Sequence, residues 1–255
     1  MAVLTEHSRL MVHPASAGVV LGILRNGDDR NDLTRVVMAD PALSVAVLRA
    51  ANSAHLGYSG RVGGVRQATV MLGGSLVGSL AASRVADLVF DTTAREYPEW
   101  YWLHSVAVAC GASVVARHLG ESSDEAFTAG ILHDIGWLLA ASNVEPGASL
   151  SRVATAVEHS DAGADLLRRW NLPDRVVAAV RMHHTKATLL TPPMTRAVVA
   201  GHAIAEALGA TGPERSISMI EAMDLAELGS TKHAVLLAEV EAEIESVTSA
   251  LRTDR

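Results

Sequence analysis

The stretch Phe127-Thr-Ala-Gly-Ile-Leu-His-Asp-Ile-Gly-Trp-Leu-Leu-Ala140 is apolar and patterned as a helix, yet it carries His133 and Asp134 side by side. An imidazole nitrogen and a carboxylate oxygen are ligands that zinc, iron and manganese accept. Successive residues on a helix point about 100° apart, so both side chains can face inward only where neighbouring helices wrap this one on a wide arc. The stretch therefore predicts an all-α bundle enclosing a His-Asp pair that needs polar partners.

Candidates for those partners stand on both sides: His104 within Trp102-Leu-His-Ser105, then His159, the doublet His183-His184, and His202. Any one of these histidines alone reads as a core or cap residue with a single hydrogen bond. As an ordered set they point to a convergent polar cluster. Their order resembles that of the HD superfamily of metal-dependent phosphohydrolases. The resemblance implies His104, His133, Asp134, His159, His183, His184 and His202 as metal ligands, a divalent zinc, iron or manganese ion as cofactor, and Asp134 as the catalytic residue if the chain is an enzyme.

At 255 residues with 49% hydrophobic content, the chain is long enough for one large or two small domains with a substantial core. Only 4% of residues are aromatic, which favours helices packed through small side chains over an aromatic-rich sheet. A net charge of -7 offers no general attraction to phosphate backbones, so nucleic acid is not an expected partner. No uncharged apolar run reaches spanning length, and Met1 to His7 lacks the layout of a signal peptide, so no membrane is expected either. The single cysteine, Cys110, excludes an intrachain disulfide and a cysteine-based zinc knuckle, and the expected compartment is the cytoplasm.

In the N-terminal half, helices are expected over 15–24 and from Asn31 or Asp32 to Ala39. Asp40-Pro-Ala-Leu-Ser-Val-Ala-Val-Leu-Arg-Ala-Ala-Asn-Ser53 follows, with an Asp N-cap, Pro at the first helical position, and Leu43, Val47, Leu48 and Ala51 along one face. A loop, His55-Leu-Gly-Tyr-Ser-Gly-Arg-Val-Gly-Gly64, leads into Val65-Arg-Gln-Ala-Thr-Val-Met-Leu-Gly73. These segments closely resemble the opening signature of the HDOD family, a regulatory branch of the HD superfamily, and the likeness extends over 15–209. Asn52 and Ser53 read as a helix end with turn residues. Arg66 and Gln67 read as exposed, as caps of a neighbouring loop, or as an inter-subdomain contact.

A small-residue helix is expected from Gly74 to about Asp91, then a break through Pro98. The expected divisions are an N-terminal helical subdomain at 1–97, an HD-like helical bundle at 98–210 and a C-terminal helical extension at 211–255. Further helices are expected over 100–119, ended by Gly120, from Ser122 or Ser123 through His133-Asp134, and over 150–157 after a loop at 143–147. His159 to Pro173 resembles the HDOD segment in which a His opens a helix ending in Trp-x-Leu-Pro. Pro173 starts a helix that delivers His183-His184, and Thr191-Pro-Pro193 opens one over 194–208.

Three departures from the HD pattern weigh against catalysis. His202 stands where a late Asp is expected, Trp137 stands where a lysine commonly follows His-Asp-Ile-Gly, and the chain after His184 lacks a Gly-Tyr-Pro signature. The resulting expectation is a signalling or regulatory protein acting through a protein partner or a nucleotide-like ligand, with weak or no catalysis. A metal-dependent phosphohydrolase or phosphodiesterase is the alternative, and a scaffold with vestigial histidines a third reading. Finally, Val235, Leu236, Leu237, Val240, Ile244, Val247 and Leu251 form a stripe at helical spacing. Such a helix either packs back on its own domain, across the seam near Pro98, or serves a homodimer or docked partner.

Overall fold

A computed structural model describes residues 10–26, 30–53, 56–57, 60–90, 97–142, 156–214, 216–229 and 232–251, and every regular element among them is helical. The expected loop at 143–147 and nearly all of the expected helix at 150–157 lie outside these residues. So does most of the break expected from Thr92 to Glu99.

Four helices open the chain: α1 (Pro14–Asn26), α2 (Arg30–Met38), α3 (Pro41–Ala51) and α4 (Val65–Phe90). Asp40 caps α3 as its sequence demands, accepting the amides of Ala42 and Leu43 at 2.9 and 3.0 Å. Its other oxygen takes the amide of His13 at 2.8 Å, which ties the segment before α1 to the start of α3. Asn52 is more than a turn residue. Its side chain donates to the carbonyls of Leu48 and Val62 and accepts the amide of Val62, closing the loop that follows α3. Helix α4 bends at Gly73, where φ is 73°, a conformation that a side chain would strain. Among the described residues, α4 is the one helix long and apolar enough to cross a membrane, but Val77, Ala81 and Val85 bury against α1, α2 and α3.

Helix α5 (Glu99–His118) is the axis of the second half, buried from Ser105 to Ala116. Around it pack α6 (Ser123–Ile131) and α10 (Pro193–Ala207), with α7 (Ile135–Ser142), α8 (Ala156–Arg169) and α9 (Asp174–Met182) behind. Gly120 and Gly209 take φ of 72° and 83° at the ends of α5 and α10, the left-handed caps their positions predict. The two halves meet at the start of α4, where Asp124 accepts the amides of Arg66 and Gln67, and Thr128 Oγ1 accepts that of Val65. The backbone of Arg66 and Gln67 thus makes one of the contacts between the halves, beside the hydrogen bond from Trp102 Nε1 to the Ala39 carbonyl at 2.7 Å.

After α11 (Met219–Leu225), α12 (His233–Thr248) returns to lie on α5 and α2, followed by a short 3-10 turn, Ser249–Leu251. Leu236, Val240 and Val247 are buried there, and Glu243 accepts hydrogen bonds from Ser113 Oγ and Arg117. Of the stripe, Val235 alone counts among the exposed large apolar residues. Deleting 230–255 would uncover α5, so we expect aggregation or loss of cooperative unfolding, read by light scattering and circular dichroism. A folded, soluble truncation would show that α12 is dispensable to the core.

Candidate metal centre

His133 and Asp134 do not sit within a helix, as the sequence suggested. Helix α6 ends at Ile131, residues 132–134 form a turn, and α7 begins at Ile135. In a continuous helix the carbonyl of Gly130 would accept the amide of residue 134. Here it takes the amide of His133 at 3.3 Å and the ring Nδ1–H of His133 at 2.7 Å instead. The side chain thereby competes with the backbone ladder and stops the helix. The turn, rather than a wide arc of neighbours, lets both side chains face inward.

The other histidines arrive from separate elements: His104 from the first turns of α5, His159 from the first turn of α8, His183 and His184 from the end of α9, and His202 from α10. All seven residues singled out in the sequence lie together, His184 partly exposed and the others buried. They form two groups, one of Asp134, His159, His183 and His184 and one of His104, His133 and His202. Asp134 joins them. Its Oδ1 lies 3.0 and 3.3 Å from Nε2 of His159 and His183. Its Oδ2 lies 3.2 and 3.7 Å from Nε2 of His133 and His104.

Ring orientation is set from outside the cluster. Nδ1–H of His104 donates to the carbonyl of Ala210 at 2.9 Å, that of His133 to Gly130, and that of His183 to Val180 at 2.6 Å. A neutral ring so tied turns an Nε2 lone pair inward, the arrangement in which histidines ligate metals. Yet the Nε2 atoms of His104 and His133 are 3.2 Å apart, as are those of His159 and His183, and of His159 and His184. Opposed lone pairs beside a carboxylate call for positive charge between them. A proton satisfies one pair, whereas a divalent ion satisfies several at once. Ligand atoms about 2.0–2.2 Å from a shared ion stand about 3 to 3.5 Å from each other, the spacing found here. The buried Asp134 Oδ1 also lacks a well-aligned hydrogen bond. The donor set fits a metal.

Burial governs the protonation of the rings. It pulls His133 down to about 4, His184 to about 3 and His202 to about 2, in each case against the opposing pull of Asp134 and with neighbouring imidazoles adding to the fall. Burial alone would raise Asp134, but the imidazoles around it, His133 foremost, hold it well below the usual carboxylate range. In the metal-free protein the unfolded chain therefore binds more protons than the folded one between about pH 6.5 and 4, so stability falls as the pH falls through that window. His133 alone accounts for about 3 kcal/mol on this basis. Asp40, raised by burial to about 6 despite its backbone donors, works in the opposite direction over part of the same range. With the histidines outweighing one carboxyl, we expect a net loss in urea midpoint from pH 7.5 to 5. A flat profile would mean that the folded and unfolded chains take up equal numbers of protons over this range, and would refute the depressed values of the rings.

The sequence reading missed Glu214. It stands in the irregular segment after α10, where no periodicity or motif marks it, and places Oε2 2.9 Å from His184 Nε2 and Oε1 3.7 Å from His159 Nδ1. Trp137, noted above for the lysine it replaces, stacks on His159 with ring centroids 5.3 Å apart at 29°.

Comparison with known proteins places this architecture. The family model described as HDOD domain matches residues 22–186, leaving His202 and Glu214 beyond the matched part. The chain is 26% identical over 172 residues to an uncharacterized protein of Treponema pallidum (strain Nichols), covering 60% of this chain and 33% of that protein. It is 34% identical over 138 residues to ribonuclease Y of Aquifex aeolicus (strain VF5), covering 54% and 21%. The chain thus spans a third or less of the length of these curated relatives. Among solved structures, the MmoQ response regulator of Methylococcus capsulatus str. Bath superposes with a TM-score of 0.71 at 23% identity, over 92% of this chain and 100% of that one. A virulence factor of Campylobacter jejuni subsp. jejuni gives 0.60 at 16% identity, over 96% and 94%. These two share the fold. With the family model spanning well over half of the residues, and the His-Asp turn inside the matched part, the chain belongs to the HDOD domain family.

Proposed function

We propose that this chain is a cytoplasmic regulatory protein whose buried cluster holds a divalent metal, zinc, iron or manganese. The centre serves recognition of a nucleotide-like ligand or a signalling partner, with little or no turnover. The observation that carries the reading is the pair of Nε2 atoms of His104 and His133, 3.2 Å apart, with both Nδ1–H groups committed to backbone carbonyls. A divalent ion bound among these ligands would supply Lewis acidity to an oxygen reaching it.

The chain's own residues favour binding over hydrolysis. Trp137 brings an indole against His159 where the family resemblance leads one to expect a lysine, so no cation from that position meets a phosphoryl group. His202 contributes a neutral ring in place of a carboxylate, which lowers the negative charge available to hold two ions together.

One observation supports a second reading, hydrolysis of a phosphate ester. Asp134 turns its two oxygens toward separate ligand groups, an arrangement suited to two metals acting on one phosphoester. The identity shared with a protein named ribonuclease Y is in keeping with it. Metal analysis after loading with zinc, iron or manganese, followed by a panel of nucleotides, cyclic dinucleotides and phosphomonoesters, separates the readings. We expect bound metal with turnover slower than about 0.01 per second, far below ordinary enzyme rates. Robust turnover abolished by Asp134→Asn would establish the enzyme, and a chain that takes up no metal would leave the scaffold reading.

A further inference from the structure

The cluster meets solvent along one edge. His104, His133, Asp134, His159, His183 and His202 are at most 4% exposed. The side chains of His184 and Glu214, by contrast, are 20% and 21% exposed. Among the described residues, His184 and Glu214 are thus the members of the site that solvent reaches most readily.

Glu214 is held in that position from both sides. Upstream, the carbonyl of Ala210 accepts His104 Nδ1–H, and Gly212 lies so close to the same ring that a Cβ there would stand 3.0 Å from Nε2. Downstream, the amide of Ser216 donates to Glu206 at 3.2 Å, fixing the far end of the loop to α10. Between these anchors the Glu214 carboxylate faces His184 Nε2 at 2.9 Å and His159 Nδ1 at 3.7 Å. A carboxylate so placed has the charge and the oxygen atoms of the anion that a cationic centre would otherwise draw from solvent.

We propose that Glu214 is a gate supplied by the chain itself, an internal anion that holds the His159–His184 edge closed and must be displaced before an external oxyanion of the phosphate class reaches the centre. The proposal rests on the metal reading above and deepens it. It names the ligand class as anionic and gives a reason, independent of Trp137 and His202, for weak binding and slow turnover in the resting protein. A closed gate lowers the apparent affinity for the anion by the fraction of molecules in which the gate stands open.

The test uses the full chain loaded with cobalt(II), whose visible absorption reports its coordination, titrated with inorganic phosphate. Wild type, Glu214→Ala and Glu214→Gln are compared for cobalt content and for spectral response. We expect similar cobalt content in all three, and half-saturation by phosphate at a concentration lower by about tenfold or more in both variants. The glutamine variant keeps the side chain's shape and carries the test should the alanine variant misfold. Equal phosphate responses in wild type and Glu214→Gln would overturn the gate while leaving the metal reading intact. Loss of cobalt from both variants would make Glu214 a ligand and likewise overturn it. Failure of the wild type to bind cobalt would overturn the metal reading, and this proposal with it.

Discussion

Replacing Asp134 with alanine should remove metal binding from both ligand groups at once. Its Oδ1 serves His159 and His183, and its Oδ2 serves His133 and His104, so one carboxylate is common to both halves of the centre. It is also the buried anion toward which four imidazoles turn, and without it a divalent ion would sit among neutral rings alone. We expect metal content below half the wild-type value after equilibrium dialysis, and an affinity loss of about 100-fold or more, at or beyond what loss of a supporting residue costs a metal site. His202→Ala should be milder, because His202 belongs to one group only. If Asp134→Ala kept its full metal content and the same zinc-induced rise in melting temperature, the bridging role would be refuted.

The second large effect is steric. Gly111 of α5 and Gly201 of α10 face each other, and a Cβ added at Gly201 would stand 2.6 Å from the amide nitrogen of Ala112 and 2.8 Å from the carbonyl oxygen of Val108. Both are backbone atoms, so nothing can swing aside and the helices must separate. Overpacking a tight core costs about 1–3 kcal/mol, and a clash with backbone belongs at the upper end or beyond. His104 rides on α5 and His202 on α10, so parting the helices also parts their rings, whose centroids are 4.8 Å apart. Gly201→Ala should therefore lose about 3 kcal/mol in urea unfolding and weaken metal binding. Gly18→Ala, within α1 where an added Cβ meets nothing within 4 Å, should instead gain about 0.5–1 kcal/mol through reduced freedom of the unfolded chain. Equal effects at the two positions would show that the contact between α5 and α10 yields.

Much of this molecule is determined by signals that act within one helical turn. The Asp40 cap with Pro41 behind it, the glycines closing α5 and α10, Ser122 accepting the amide of Glu125, and Pro193 opening α10 are choices each segment makes alone, so the sequence predicts these helix ends to within about a residue or two. The ordered histidines also point, before any packing is known, to the seven side chains that the fold brings together. The turn at 132–134 was not legible in the same way. Local pattern favours continuing the apolar helix through it, and the competing hydrogen bond from the His133 ring to Gly130 wins where the ring is buried among partners from other helices. Tertiary structure alone decided that Asp134 lies between two groups, that Trp137 stacks on His159, and that Glu214 closes the edge beside His184. These contacts join residues tens of positions apart, and side-chain periodicity carries no information about distance across a bundle. That distance is set by how closely small residues such as Gly111 and Gly201 allow α5 and α10 to approach.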